Sequence, residues 1–174
     1  MDDHKLSPEH KIKIHRVLLI LFLVVVIFLF SQKIVLGNSV SYEVDFVNSS
    51  RFVRGPFPEG RVEPQSSSYL VKYEPVYFSA YSPRRFNRAK VRISYRQSAD
   101  LKSQIGLKLD VNDWAFYFEP LPPTDHEVQV YETTFDLTRA ELIRNQLKFV
   151  IAAPGIDNQG GWIEVYNLQI ELLK

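Results

Sequence analysis

Apolar and polar positions divide this chain into two regions with different periods. Residues 17–30 read VLLILFLVVVIFLF, fourteen apolar side chains without a break, and after Ser31, Gln32 and Lys33 the run resumes as Ile34, Val35 and Leu36. A run with no polar face is not the amphipathic helix of a water-facing bundle. Twenty residues of helix rise about 30 Å, the thickness of bilayer hydrocarbon. A single transmembrane α-helix over 17–36 is therefore expected, anchored by Val17, Leu18, Phe22, Val26, Phe30 and Leu36. Lys33 falls in its last turn, where a long stem carries the ammonium to the headgroups.

From Ser41 onward the period changes to two. Tyr42, Val44 and Phe46 alternate with Ser41, Glu43 and Asp45, and Ala89, Val91, Ile93 and Tyr95 alternate with Lys90, Arg92, Ser94 and Arg96. Short β-branched and aromatic runs follow the same rhythm at 69–73, 76–81, 105–109, 114–118, 128–130 and 147–151. This is the signature of strands with one buried and one wet face. Gly55-Pro56-Phe57-Pro58, Ser66-Ser67-Ser68, Pro120-Leu121-Pro122-Pro123 and Pro154-Gly155 interrupt the pattern with turn chemistry. About eight short strands so spaced predict an all-β fold, an antiparallel β-sandwich. In the last segment Ile163 and Val165 share a face that Leu168, Ile170 and Leu172 resume one residue late, which predicts a β-bulge at Tyr166-Asn167. One short helix is expected at 138–143, where Thr138 and Glu141 have capping-box spacing.

The flanks of the apolar segment give it a direction. Lys5, Lys11, Lys13 and Arg16 precede it, and beyond Lys33 nothing basic occurs until Arg51. The excess of basic residues predicts a cytoplasmic N-terminus and an extracytoplasmic C-terminal domain at the cell membrane. A cleaved signal peptide is the competing reading, because a fourteen-residue apolar core and Val35-Leu36-Gly37 loosely fit that pattern. The sixteen-residue polar N-region with its three acids and the lack of Ala-x-Ala favour retention. The expected organisation is a cytoplasmic tail at 1–16, the transmembrane helix at 17–36, a short linker at 37–40 and the β-sandwich at 41–174. With no stalk, the sandwich is expected to lie against the bilayer surface.

Composition narrows the chemistry. The absence of cysteine removes disulfides, thiolate metal sites and thiol nucleophiles. Of 21 basic and 20 acidic residues, five and three precede residue 38, so the domain is nearly neutral, which disfavours nucleic acid as a partner.

The segments PVYFSAYSPRRFNRAKVRISYR, WAFYF, FDLTRAELIRNQLKFVIAAPG and WIEVYNLQIELL follow the order of elements of galactose-binding-like jelly rolls. The domain resembles that fold, which many carbohydrate-binding modules share. The resemblance lies in layout over most of 41–174, without a diagnostic motif, and the fold hosts many functions. It implies a jelly-roll sandwich with glycan as a ligand class. Jelly rolls of this kind also often hold one structural calcium. Asp110, Asn112 and Asp113, or Asp157-Asn158, offer oxygen ligands for one, but they lack a calcium loop's spaced ladder and are ordinary turn residues. No cofactor is expected.

Two groups of residues are candidates for ligand contact. Arg84, Arg85, Arg88, Lys90, Arg92 and Arg96 fall between Glu74 and Asp100 with no acid among them. They would suit an anionic glycan, lipid headgroups or an acidic protein surface. The alternative is a solvated face whose cations pair with Asp110, Asp113, Glu119, Glu127 and Glu132 on neighbouring strands. Among the aromatics, Trp114 is in phase with Phe116 and Phe118 and is expected in the core. Tyr117 on the opposite face and Trp162 after Gly160-Gly161 are the candidates for stacking on a sugar. His126 beside Asp125 is the single histidine outside the N-terminal tail, and no nucleophile elbow, phosphate loop or His-Glu-x-x-His occurs. An enzyme is not expected. Asn48-Ser49-Ser50 is a glycosylation sequon. The function expected is a membrane-anchored extracytoplasmic binding or scaffolding module that recognises glycan or envelope polymer. A structural or accessory subunit of a membrane complex, such as a transporter or envelope machine, is the alternative, and a hydrolase ranks last.

Overall fold

The computed structural model describes residues 8–31, 37–44, 52–98, 101–112, 114–125 and 127–174. Leu36, Phe46, the Asn48 sequon, Asp113 and His126 lie outside these, as does the side chain of Phe30. The chain forms two compact units, 1–36 and 37–174.

The first unit contains helix α1, Pro8–Ser31, and the uninterrupted apolar run lies within it. Side chains are described from 15 to 28, and no helix among the described residues is long and apolar enough to cross a membrane.

The second unit is a sandwich of two antiparallel sheets. Its strands in chain order are β1 (Ser39–Val44), β2 (Val53–Phe57), β3 (Val62–Pro64), β4 (Tyr69–Val71), β5 (Val76–Tyr81), β6 (Arg88–Gln97), β7 (Gln104–Lys108), β8 (Phe116–Pro120), β9 (Gln129–Asp136), β10 (Leu142–Ile143), β11 (Gln146–Ala152) and β12 (Ile163–Leu173). Sheet 1 runs β3-β4-β12-β6-β9, and β1 continues the β4 edge of β12 over residues 168–173. Sheet 2 runs β2-β5-β11-β7-β8, with β10 as a hairpin on β11.

The alternation in β6 dictates its placement at the centre of sheet 1. Ala89, Val91, Ile93 and Tyr95 are fully buried, while Arg88, Lys90, Arg92, Ser94 and Arg96 point outward. Facing them from sheet 2 are Val76, Phe78 and Ala80 of β5, Leu147, Phe149 and Ile151 of β11, and Ile105 and Leu107 of β7. Every described residue of this core lies between 42 and 172, so the described core falls wholly within the second unit. The bulge expected at Tyr166-Asn167 is present, as the β12–β6 register shifts between Val165 and Asn167.

Two expectations are corrected. Residues 138–143 are not helical. A turn closed by Ala140 N–H donating to the Leu137 carbonyl (3.1 Å) leads into β10, which pairs Leu142 with Leu147 and Ile143 with Gln146. Arg144 and Asn145 both take positive φ, the conformation that a two-residue hairpin turn requires. The capping partners are also used elsewhere: Thr138 N–H donates to Asp136 Oδ1, and Glu141 N–H donates to the Lys108 carbonyl. Pairing against β11 overrides a helical propensity worth only tenths of a kcal/mol per residue. The short helix is instead α2, Ile156–Gln159, flanked by left-handed Gly155 and Gly160. The second correction is in β2, which contains Gly55-Pro56-Phe57, the segment expected to end a strand. It is an edge strand with a register shift between Arg54 and Phe57, where proline is tolerated.

Candidate functional site

The outer face of sheet 2 carries an aromatic surface. Residues paired across antiparallel strands point to the same side, and Phe116 pairs with Lys108 while Phe118 pairs with Gly106. Both phenylalanines therefore face outward, away from Ile105 and Leu107. The rings of Phe116 and Phe118 are 5.8 Å apart, and Phe116 is 6.2 Å from Tyr77 of β5. Phe57 pairs with Tyr77 and extends the strip to the opposite edge of the sheet. Polar groups border it. Lys148 Nζ lies 5.8 Å from the Tyr77 ring, and Ser79 and Arg54 are paired on the same face.

Lys108 is only 4 % exposed although it lies on the outward face. Its ammonium donates to the Asn112 carbonyl at 2.7 Å, sits 3.6 Å from Glu141 and covers the Phe116 ring at 5.6 Å. It ties the 109–115 turn to the strip. Among the described residues no group of three or more histidine, aspartate or glutamate side chains could hold a metal.

Gly106 is the floor on which Phe118 lies. A Cβ there would come within 2.6 Å of Phe118 Cδ1 and 2.9 Å of Val150 Cγ1. Gly106→Ala is therefore expected to lift Phe118 off the sheet while the domain remains folded. Chemical shifts of the Phe118 ring that match wild type would contradict this.

The structure reverses the expected face of β8. Phe116 and Phe118 do alternate with Tyr117, but the phenylalanines are outside the core. Trp114, expected inside, is 82 % exposed in the 109–115 turn. Tyr117 packs edge-on against Phe135 at the rim of the sandwich, and its hydroxyl donates to Glu119 Oε1 at 2.6 Å. That bond to a carboxylate raises the phenol above its ordinary pKa.

The cationic candidates are dispersed. Arg96 and Trp162 come together on the outer face of sheet 1, with the guanidinium 5.3 Å from the ring centroid. With Gln65, Leu70 and Glu164 they line an open hollow of about 290 Å³. Arg96 is committed there, since its Nη2 donates to Glu164 Oε2 at 2.6 Å. Lys90 pairs with Glu132 at 2.9 Å, as the paired-face alternative expects, and Arg92 lies opposite Glu132 and Gln169. Arg84, Arg85 and Arg88 sit at the end of the domain where the chain enters. Arg84 is held against Phe86 and the Gly37 carbonyl.

Among solved structures, the domain is similar to the CBM22-1 xylan-binding domain of Xyn10C from Paenibacillus barcinonensis. The match has 8 % identity and a TM-score of 0.51, and it covers 76 % of this chain and 94 % of that one. The fold is that of the carbohydrate-binding jelly rolls. A family 29 carbohydrate-binding module aligns at 19 % identity and a TM-score of 0.47 over 76 % of this chain and 89 % of its own. No protein-family profile and no curated protein sequence matches the chain.

Proposed function

We propose that residues 37–174 are a non-catalytic glycan-binding module whose platform is the outer face of sheet 2. The observation that carries this reading is the strip of Phe57, Tyr77, Phe116 and Phe118 on the outer face of sheet 2. The rings bury Val150 and Lys108 beneath them, yet Phe57 and Phe118 remain 43 % and 36 % exposed, an apolar surface left open to solvent. The C–H face of a pyranose packs on such rings, and the adjacent Ser79, Arg54 and Lys148 supply hydrogen bonds to its hydroxyls. The xylan-binding activity in the name of the similar domain is consistent with this ligand class. Screening residues 37–174 against immobilised polysaccharides is expected to return at least one binder. Phe118→Ala should weaken it by about tenfold or more, from roughly 1.5–3 kcal/mol of lost aromatic burial. Binding unaffected by Phe118→Ala and Tyr77→Ala would move the site elsewhere.

The module is further proposed to be membrane-anchored through 17–36, with its N-terminus cytoplasmic and the domain outside. The fourteen-residue apolar run inside α1 and the four basic residues before it support this. The full chain is expected to resist alkaline carbonate extraction from membranes, and its mature mass should include residue 1. A mature chain beginning near residue 38 would identify a signal peptide instead.

A further inference from the structure

The end of the sandwich that holds residue 37 carries exposed arginines and exposed apolar side chains together. In sheet 1 this end is set by the pairs Ser39–Leu173 and Arg88–Leu173. In sheet 2 it is set by Tyr81–Gln146 and Lys108–Phe116. Backbone hydrogen bonds join its loops into one rim. Leu137 N–H donates to the Asn87 carbonyl, Ser82 N–H to that of Asn145, and Asp110 N–H to that of Arg139.

Arg85, Arg88, Arg139 and Arg144 project from this rim, all exposed, and none is in an ion pair with a described residue. The acids described here are Asp110, Asp136 and Glu141: Asp110 is exposed beside Arg139, Asp136 lies opposite Arg88 and accepts from Thr138 N–H, and Glu141 lies beside Lys108, so the four arginines outnumber them. Between the arginines stand exposed apolar side chains: Trp114 and Val111 on the 109–115 turn, and Ile143 at the tip of the β10–β11 hairpin.

We infer that this rim docks on a membrane surface rich in anionic lipid. Arginines attract the headgroup phosphates, while Trp114 and Ile143 enter the interfacial layer, where an indole is most at home. A soluble polyanionic glycan would satisfy the arginines and stack on Trp114 but leave the aliphatic Val111 and Ile143 without a partner, which is why lipid is favoured. The rim is separate from the aromatic strip, and the inference stands whether or not the glycan reading or the anchor reading holds.

Residues 37–174, a compact unit that contains every described core residue, test it without α1 present. The domain is expected to co-sediment with phosphatidylcholine vesicles containing phosphatidylglycerol, and not with phosphatidylcholine alone. High salt should weaken the binding. In a Trp162→Phe background, Trp114 emission should shift to the blue on binding. Arg85→Glu with Arg139→Glu, four units of charge in all, should lower partitioning by about several hundredfold, at roughly fivefold for each unit near the surface. Trp114→Ala should abolish the emission shift and weaken binding. No binding to anionic vesicles would overturn the inference. So would binding insensitive to both variants, or binding to a soluble acidic polysaccharide such as heparin that leaves vesicles unbound.

Discussion

Phe149→Ala is expected to lower the unfolding free energy of the domain by about 3–5 kcal/mol. Phe149 occupies the middle of β11, paired with Phe78 on one side and Leu107 on the other, and is 1 % exposed. Its ring meets Phe135 of sheet 1 at 6.0 Å and 62°, and Phe135 meets Tyr117 in turn at 6.1 Å and 88°. The truncation thus opens a cavity between two sheets whose strands are held at fixed spacing by their ladders, so little collapse can fill it. In thermal melts of residues 37–174 the loss should appear as a midpoint lowered by roughly 10 °C or more. Phe118→Ala, of the same chemistry but on the outer face, should cost far less. Equal losses from the two would mean that the strip belongs to the core, and the platform reading would fall with that result.

The same contrast explains what could be read from the sequence and what could not. Strands β6, β12 and β1 declared themselves because in each an apolar, buried face alternates with a more polar and more open one. The bulge at Tyr166-Asn167 was visible for the same reason, since a one-residue slip in a strict alternation has few other causes. In β8 both faces are aromatic, so alternation fixes the phase of Phe116, Tyr117 and Phe118 without saying which side is inward. Apolarity pointed the phenylalanines inward. The deciding signal was one strand earlier: Ile105 and Leu107 claim the core side of β7, leaving Gly106 and Lys108 outward. The hairpin through the 109–115 turn then carries Phe118 and Phe116 to their side. Among the acids expected to pair with the cationic strip, Glu132 does so from the adjacent β9. Glu164 was missed because it reaches Arg96 from a strand 68 residues away in the chain. The hairpin at 142–147 was hidden by a strongly helical local sequence.

Glu164 should also make the domain sensitive to acid. Its carboxylate accepts from Ser68 Oγ at 2.7 Å, from Arg96 Nη2 at 2.6 Å and from the Tyr166 hydroxyl at 2.6 Å, with its side chain 15 % exposed. Burial alone would raise its pKa. The hydrogen bonds from Tyr166, Ser68 and Arg96 outweigh burial and hold it below its ordinary value of 4.5. A carboxylate depressed in the folded state binds fewer protons there than in the unfolded chain. Its stabilising contribution is therefore complete above the unfolded pKa and is lost as pH falls through the folded one. Urea unfolding should show stability declining below about pH 5. Glu164→Gln should cost about 2–3 kcal/mol at neutral pH, because hydrogen bonds to a charged acceptor are the stronger ones and Ser68 is buried beside it. The gap between wild type and variant should then narrow as pH falls, since acid removes from the wild type what the substitution has already removed. Asp136, also depressed by its bond from the Thr138 backbone, contributes equally to both curves and cancels in the difference. A gap that stays constant from neutral pH to pH 3 would assign the loss to packing around residue 164 and not to its charge.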